Sequence, residues 1–159
     1  MKIVVMTLAN DEICTCSRCI REGRSKSYRE MVKACRETWG SKDIDGVKVY
    51  YIYGHRKGIF FPENSKKIFS KERYWPNGSA GDGFQPVDIV EKNAPFAIQD
   101  CIYSDTPEGR ENIYYKTIDG FQWLLENEDF DYVFRSNCGS YIDLKILKDF
   151  VEKIGVKDN

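Results

Sequence analysis

Apolar and polar positions fall into short alternating blocks along the chain. Ile3 to Leu8 is an unbroken apolar run with β-branched residues, the pattern of a strand buried on both faces. After a polar, basic stretch, Ser27-Tyr28-Arg29-Glu30 forms a capping box. Tyr28, Met31, Val32, Cys35 and Trp39 then recur at helical spacing, and Gly40 supplies the stop. Val47 to Tyr53 reads as a second buried strand, closed by Gly54. Asp100 to Ser104 predicts a third and Tyr132 to Arg135 a fourth.

Between the third and fourth strands a helix begins either at Thr106-Pro107 or at Asn112. Its predicted buried stripe is Tyr114, Thr117, Ile118, Phe121, Leu124 and Leu125. Asp143 is placed to cap a last helix, Leu144 to Ile154, with Leu144, Leu147, Phe150, Val151 and Ile154 on one face and Gly155 at its end. Residues 55–97 read as a variable insertion. Ile59-Phe60-Phe61, Lys67-Ile68-Phe69 and Val87-Asp88-Ile89-Val90 are candidate short strands within it, and Asn77 to Gly83 a glycine-rich loop.

This order predicts one α/β domain over 1–159, with a mostly parallel sheet flanked by helices. Ligands of such sheets bind beyond the carboxyl ends of the strands. That rule selects Thr7–Ala9, Tyr53–His55, Ser104–Thr106 and Arg135–Ser140.

Composition narrows the classes of function. The formal net charge of −1 gives no general basic field for nucleic acid or an anionic membrane. No apolar run reaches the ~18 residues of a membrane span, and the first residues read as a strand rather than a signal peptide. The expectation is a soluble, cytoplasmic protein with reduced thiols. Cys14, Cys16 and Cys19 form a C-x-C-x2-C cluster to which Cys35 could add a fourth thiolate for zinc. Cys35 also fits the apolar face of its helix, and unligated thiols are the simpler reading. The single histidine, His55, excludes a multi-histidine metal centre. Dinucleotide, phosphate-loop and nucleophile-elbow motifs are absent.

Three ordered segments carry a resemblance. Arg36-Glu37-Thr38-Trp39-Gly40 matches an R-x-T-W-G motif. Glu108 to Thr117, followed by Trp123, is similar to an acidic residue, an aromatic and then N-L-x-x-K-T. Tyr132 to Asp143 occupies the slot of a strand, K-x-D-D-D and F-V-N. Together they resemble the β-1,3-galactosyltransferase and Fringe-like group of GT-A glycosyltransferases.

The resemblance implies a GT-A fold, in whole or as its N-terminal donor-binding half, and transfer of a sugar from a UDP-sugar to a saccharide or glycan acceptor. It points to Thr7, Arg29, Arg36, Lys116, Arg135, Asn137 and Ser140 as nucleotide-sugar contacts. In that family an aspartate triplet holds Mn2+ on the diphosphate. Here the triplet reads Asn137-Cys138-Gly139, which argues against ordinary Mn2+ binding. Arg135, in the lysine slot, could grip phosphate in its place. The resemblance assigns no catalytic base. The lost carboxylates leave open an alternative, a non-catalytic nucleotide-sugar- or protein-binding module.

Overall fold

A computed structural model describes residues 1–10, 13–14, 21–23, 26–55, 66–68, 84–85, 100–109 and 112–155. Its elements are β1 (Ile3–Leu8), β2 (Ile13–Cys14), β3 (Lys26–Ser27), α1 (Tyr28–Glu37), β4 (Val47–His55), β5 (Lys66–Ile68), β6 (Phe84–Gln85), β7 (Cys101–Pro107), α2 (Ile113–Asn127), β8 (Tyr132–Asn137) and α3 (Leu144–Ile154). The main sheet has the order β5-β7-β4-β1-β8, and every pairing in it is parallel. Three two-residue strands, β3-β2-β6, form a small antiparallel sheet.

Successive strands run outward from β1 to β4 and β7. The chain then returns along α2 to β8, on the other side of β1. The α/β expectation thus stands as a doubly wound sheet with helices on both faces. The reversal of strand order lies between β1 and β8, and the crevice at their carboxyl ends is the usual ligand position in such sheets.

Alternation along the strands divides the core in two. Val5, Tyr51 and Cys101 pack beneath α1 and α3 with Val32, Cys35, Trp39 and Leu144. Val4, Met6, Ile52 and Ile102 pack on the opposite face with Leu124 of α2. Ser27 caps α1 by accepting from the Glu30 amide, and Asp143 caps α3 by accepting from Lys145 and Ile146.

Several expectations are corrected in detail. Thr106-Pro107 does not start a helix: β7 runs on through both residues, and α2 begins at Ile113 with Asn112 as its N-cap. Gly54 lies inside β4 rather than closing it. The predicted buried stripe of α2 is largely on the outside: Tyr114, Ile118 and Leu125 are exposed, while Lys116, Asp119, Gly120 and Leu124 face the sheet. The reason is pairing. Both buried charges find partners on the strands, and Gly120 lets the helix sit directly on Met6 and Ile52. Phe150 and Ile154 of α3 are likewise exposed. The candidate strands at 59–61 and 87–90, and the 77–83 loop, lie outside the described residues; Lys66–Ile68 matches the third candidate strand, shifted by one residue.

Candidate functional site

At the carboxyl edge of the sheet, three strand ends converge on one buried ion pair. Lys116, from the inner face of α2, donates to Glu108 Oε2 at 2.7 Å and to the Ala9 carbonyl at 2.9 Å. Glu108 Oε1 accepts the Gly54 amide at 2.5 Å. The side chains of Lys116 and Glu108 are only 5% and 3% exposed. This one pair therefore ties α2 to the ends of β1, β4 and β7. Gly54 must lack a side chain, because a Cβ there would lie 2.8 Å from both the Glu108 carboxyl carbon and the Thr106 carbonyl oxygen.

Below the pair, Asp119 is also buried. Its carboxylate accepts from Thr106 Oγ1 at 2.6 Å and from the Ser104 hydroxyl. The Ser104 oxygen in turn accepts the Thr106 amide at 3.0 Å. These bonds hold the last residues of β7 against α2.

The amino end of α2 has no side-chain cap among the described residues. The first turn of α2 carries no acidic residue, and its N-cap Asn112 makes no side-chain capping bond. Asn112 is buried, and its Nδ2 has no partner. Unpaired amide donors at a helix N-terminus favour an anion. The α1 and α3 ends at the same edge are closed by Ser27 and Asp143.

The third wall is the loop after β8. The Cys138 amide bonds the Leu8 carbonyl at 3.2 Å, and the Ser140 amide bonds the Asn137 carbonyl at 3.0 Å. From α1, the Cys35 thiol donates to the Cys138 carbonyl at 3.1 Å, and Trp39 Nε1 donates to the Ser140 carbonyl at 3.1 Å. The side chains of Asn137 and Ser140 remain exposed above this pinned loop.

The sequence-selected residues therefore separate. Lys116, expected as a ligand contact, is instead buried below the strand ends with its ammonium on Glu108 and Ala9, while Asn137 and Ser140 are exposed at the carboxyl edge. Arg29 is half-buried in the first turn of α1. Thr7 has no exposed surface, and its hydroxyl is sealed within the sheet without a partner. Arg36 is held internally: it donates to Asp100 at 2.5 Å and to Cys101 Sγ at 2.9 Å, and its guanidinium lies 4.2 Å over the Tyr51 ring. Arg135 is exposed, in register with Met6, two residues before the end of β8 at the sheet edge. Its position on the strand puts it on the α2 face, beside the crevice rather than in it.

A hard cation finds no suitable donors in the triplet slot. Asn137 is neutral and Gly139 has no side chain. Burial pushes the Cys138 thiol up to about 11, so it stays protonated. The Asp143 carboxylate is occupied by the α3 amides at 3.0 Å. Among the described residues no group of three or more His, Cys, Asp or Glu side chains could hold a metal ion. The possible zinc ligand Cys35 is buried in the α1 core, its thiol directed at Cys138; Cys16 and Cys19 lie outside the described residues, as do the side chains of Cys14 and His55.

Residue-type reasoning did not single out Glu108, Asn112 or Asp119. Their signal was a second helical face, 112-116-119-120, polar where a helix normally buries apolar side chains. No helix among the described residues is long and apolar enough to cross a membrane. No family model, curated protein or solved structure matches this chain.

Proposed function

We propose that the crevice at the carboxyl ends of β1 and β8 binds the diphosphate of a nucleotide sugar, and that the chain is a donor-binding domain of GT-A type serving sugar transfer from a UDP-sugar to a saccharide acceptor. One observation carries this reading: the amino end of α2, with no side-chain cap and a buried, unpaired Asn112 amide, lies at the edge where doubly wound sheets take ligands. The three sequence segments that resemble β-1,3-galactosyltransferases and Fringe-like enzymes add to it.

In the transfer, the bond from the anomeric carbon to the β-phosphate oxygen breaks, and its electron pair stays on the phosphate. The acceptor oxygen forms the new bond and gives up its proton to a base. Donors preorganised at the leaving oxygen lower the barrier by stabilising the charge that appears there. The α2 amides and Asn112 Nδ2 are suited to that role. Lys116 acts as a positioning residue: two of its donors are held by Glu108 and Ala9, which fixes the floor of the crevice. Asn137 and Ser140 offer neutral hydrogen-bonding groups to sugar or ribose hydroxyls.

A second reading, a binding module without transferase activity, is favoured by the triplet slot. Its loop presents no carboxylate, and its Cys138 and Ser140 carbonyls are taken by Cys35 and Trp39.

Calorimetric titration with UDP and a panel of UDP-sugars, in EDTA and in Mn2+, tests binding. The expected result is metal-independent binding, with thermal stabilisation of about 2.7 kcal/mol at ~100 Kd, both weakened by Asn112→Asp. Absence of binding by every nucleotide would remove the first reading and reduce the second to a protein-binding module. Sugar transfer in EDTA would remove the second.

A further inference from the structure

We propose that this chain forms a two-fold homodimer by antiparallel pairing of β8 with β8 of a second copy, extending the main sheet across the axis. The inference is independent of the nucleotide-sugar reading.

β8 ends the strand order, so its outer backbone groups meet no strand among the described residues. Exposed edges of this kind recruit further strands unless they are short, bulged, or broken by proline or lysine. β8 reads Tyr-Val-Phe-Arg-Ser-Asn over six residues, carries no proline or lysine, and pairs with β1 in an unbroken register; its one charge, the exposed Arg135, requires an opposite charge across any new pairing.

The side chains beside this edge are apolar beyond what the fold covers. Phe134, on the α1/α3 face by its register with Val5, is 42% exposed. On α3, Ile146, Phe150 and Ile154 follow at intervals of four and are all more than half exposed. Lys148 lies on the flank opposite Ile146 and Phe150 and reaches inward to the Asp45 carbonyl at 2.7 Å, beside the start of β4. The apolar flank of α3 therefore faces away from the start of β4 and lies exposed. Lys145 and Asp149, on a third flank, pair with each other and stay in solvent.

Charge complementarity selects a second copy as the occupant. A two-fold axis through Val133 sets Val133 opposite itself, Tyr132 opposite Phe134, and Arg135 opposite Asp131 at the strand entry. Both charged residues are exposed. Asp131 Oδ2 accepts the Lys2 amide at 2.7 Å, which holds the carboxylate at the strand entry and leaves Oδ1 for Arg135. The pairing thus joins two opposite-charge pairs and two aromatic pairs, the cross-strand combinations that stabilise sheets. The net charge of −1 sets up no general repulsion between copies.

Sedimentation velocity of the whole chain across a concentration series tests this. The expected result is a concentration-dependent species of twice the chain mass. Phe134→Lys is expected to give a monomer with an unchanged circular dichroism spectrum. Arg135→Asp, at an exposed position, places like charges opposite each other and is expected to weaken association by about tenfold or more. Combining it with Asp131→Arg restores the opposite-charge pairs and is expected to recover most of that loss. A chain that stays monomeric at every concentration overturns the proposal. So does a dimer indifferent to Phe134→Lys, or a charge-exchanged double variant that associates no better than Arg135→Asp alone.

Discussion

Replacing Lys116 by methionine probes the pair on which the carboxyl edge is built. Methionine approximates the aliphatic stem, so packing is largely kept while the ammonium is lost. Glu108 would then be a buried carboxylate whose remaining partner is the Gly54 amide, and the Ala9 carbonyl would lose its donor. Breaking a buried pair from one side costs roughly 3–5 kcal/mol, because the surviving charge stays desolvated. Against a typical total stability of about 5–15 kcal/mol, that is a large fraction. For a chain of this size it lowers Tm by roughly 6–20 °C. Urea unfolding followed by circular dichroism measures the loss. The double variant Lys116→Met with Glu108→Gln is the sharper measurement. The amide oxygen can still accept the Gly54 N–H and no charge is stranded, so the double variant should lose about 2 kcal/mol less than Lys116→Met alone. A single-variant loss under about 1 kcal/mol, or strict additivity in the double, would refute the claim that a desolvated ion pair braces these strand ends.

Three further outcomes are expected. Gly40→Ala sets a Cβ against the Tyr51 hydroxyl and 3.0 Å from the Cys35 carbonyl, so it should cost about 1–3 kcal/mol by overpacking, whereas Gly139→Ala, whose nearest neighbour is Met31 Sδ at 3.8 Å, should fall within about 0.5 kcal/mol of the parent by urea unfolding. Arg36→Lys should destabilise despite keeping the charge, because an ammonium cannot bridge Asp100 and Cys101 while stacking on Tyr51; unfolding midpoints of the lysine and parent chains compare the two. Burial pushes the Cys101 thiol up from 9.0 to about 12, so the unfolded chain releases this proton first, and stability should fall as pH rises through that window, by at most about 1.4 kcal/mol per pH unit from this group. Denaturant midpoints across the window, with Cys101→Ala as the flattened control, check the sign.

The parallel strands were legible because strands buried on both faces write themselves as apolar runs, and Ile3–Leu8 and Val47–Tyr53 do so plainly. α1 was legible for the complementary reason: its capping serine, its stripe ending in Trp39 and its glycine stop all agree. α2 was not. Its outer face, with Tyr114, Ile118 and Leu125, is more apolar than the inner face, which carries Lys116 and Asp119. Apolar periodicity weighs single residues by transfer energy, and it has no means of knowing that a lysine and an aspartate will each meet a partner from a strand. The candidate site was legible to the same degree. Its location followed from the carboxyl-end rule, and Lys116, Asn137 and Ser140 were named. Glu108 and Asp119 escaped because their roles depend on partners in other elements, from Gly54 to Lys116, which spacing cannot encode; Asn112 was named only as a helix start, and that its amide is left without a partner is not legible in spacing.

The fate of the Arg36-Glu37-Thr38-Trp39-Gly40 segment bears on how such a motif should be interpreted. Read by residue type, its arginine suits a phosphate. In the fold, every strongly constrained member serves as a brace. Arg36 spans Tyr51 and the start of β7, and Thr38 bonds back to the Ala34 carbonyl at 2.6 Å. Trp39 holds the Ser140 carbonyl, and Gly40 makes room for the Tyr51 hydroxyl. The segment thus fixes the loop after β8 from one side while Lys116 and Glu108 fix the strand ends from the other. On the proposed nucleotide-sugar reading, strand ends clamped on both sides would hold donors in place before a ligand arrives, which is what charge stabilisation at a leaving phosphate requires. On this argument the motif contributes to function through rigidity. Substitutions in it should reduce ligand affinity in proportion to the stability they remove, whereas Asn112→Ala, which loses no side-chain hydrogen bond within the fold, should reduce affinity at a smaller cost to stability.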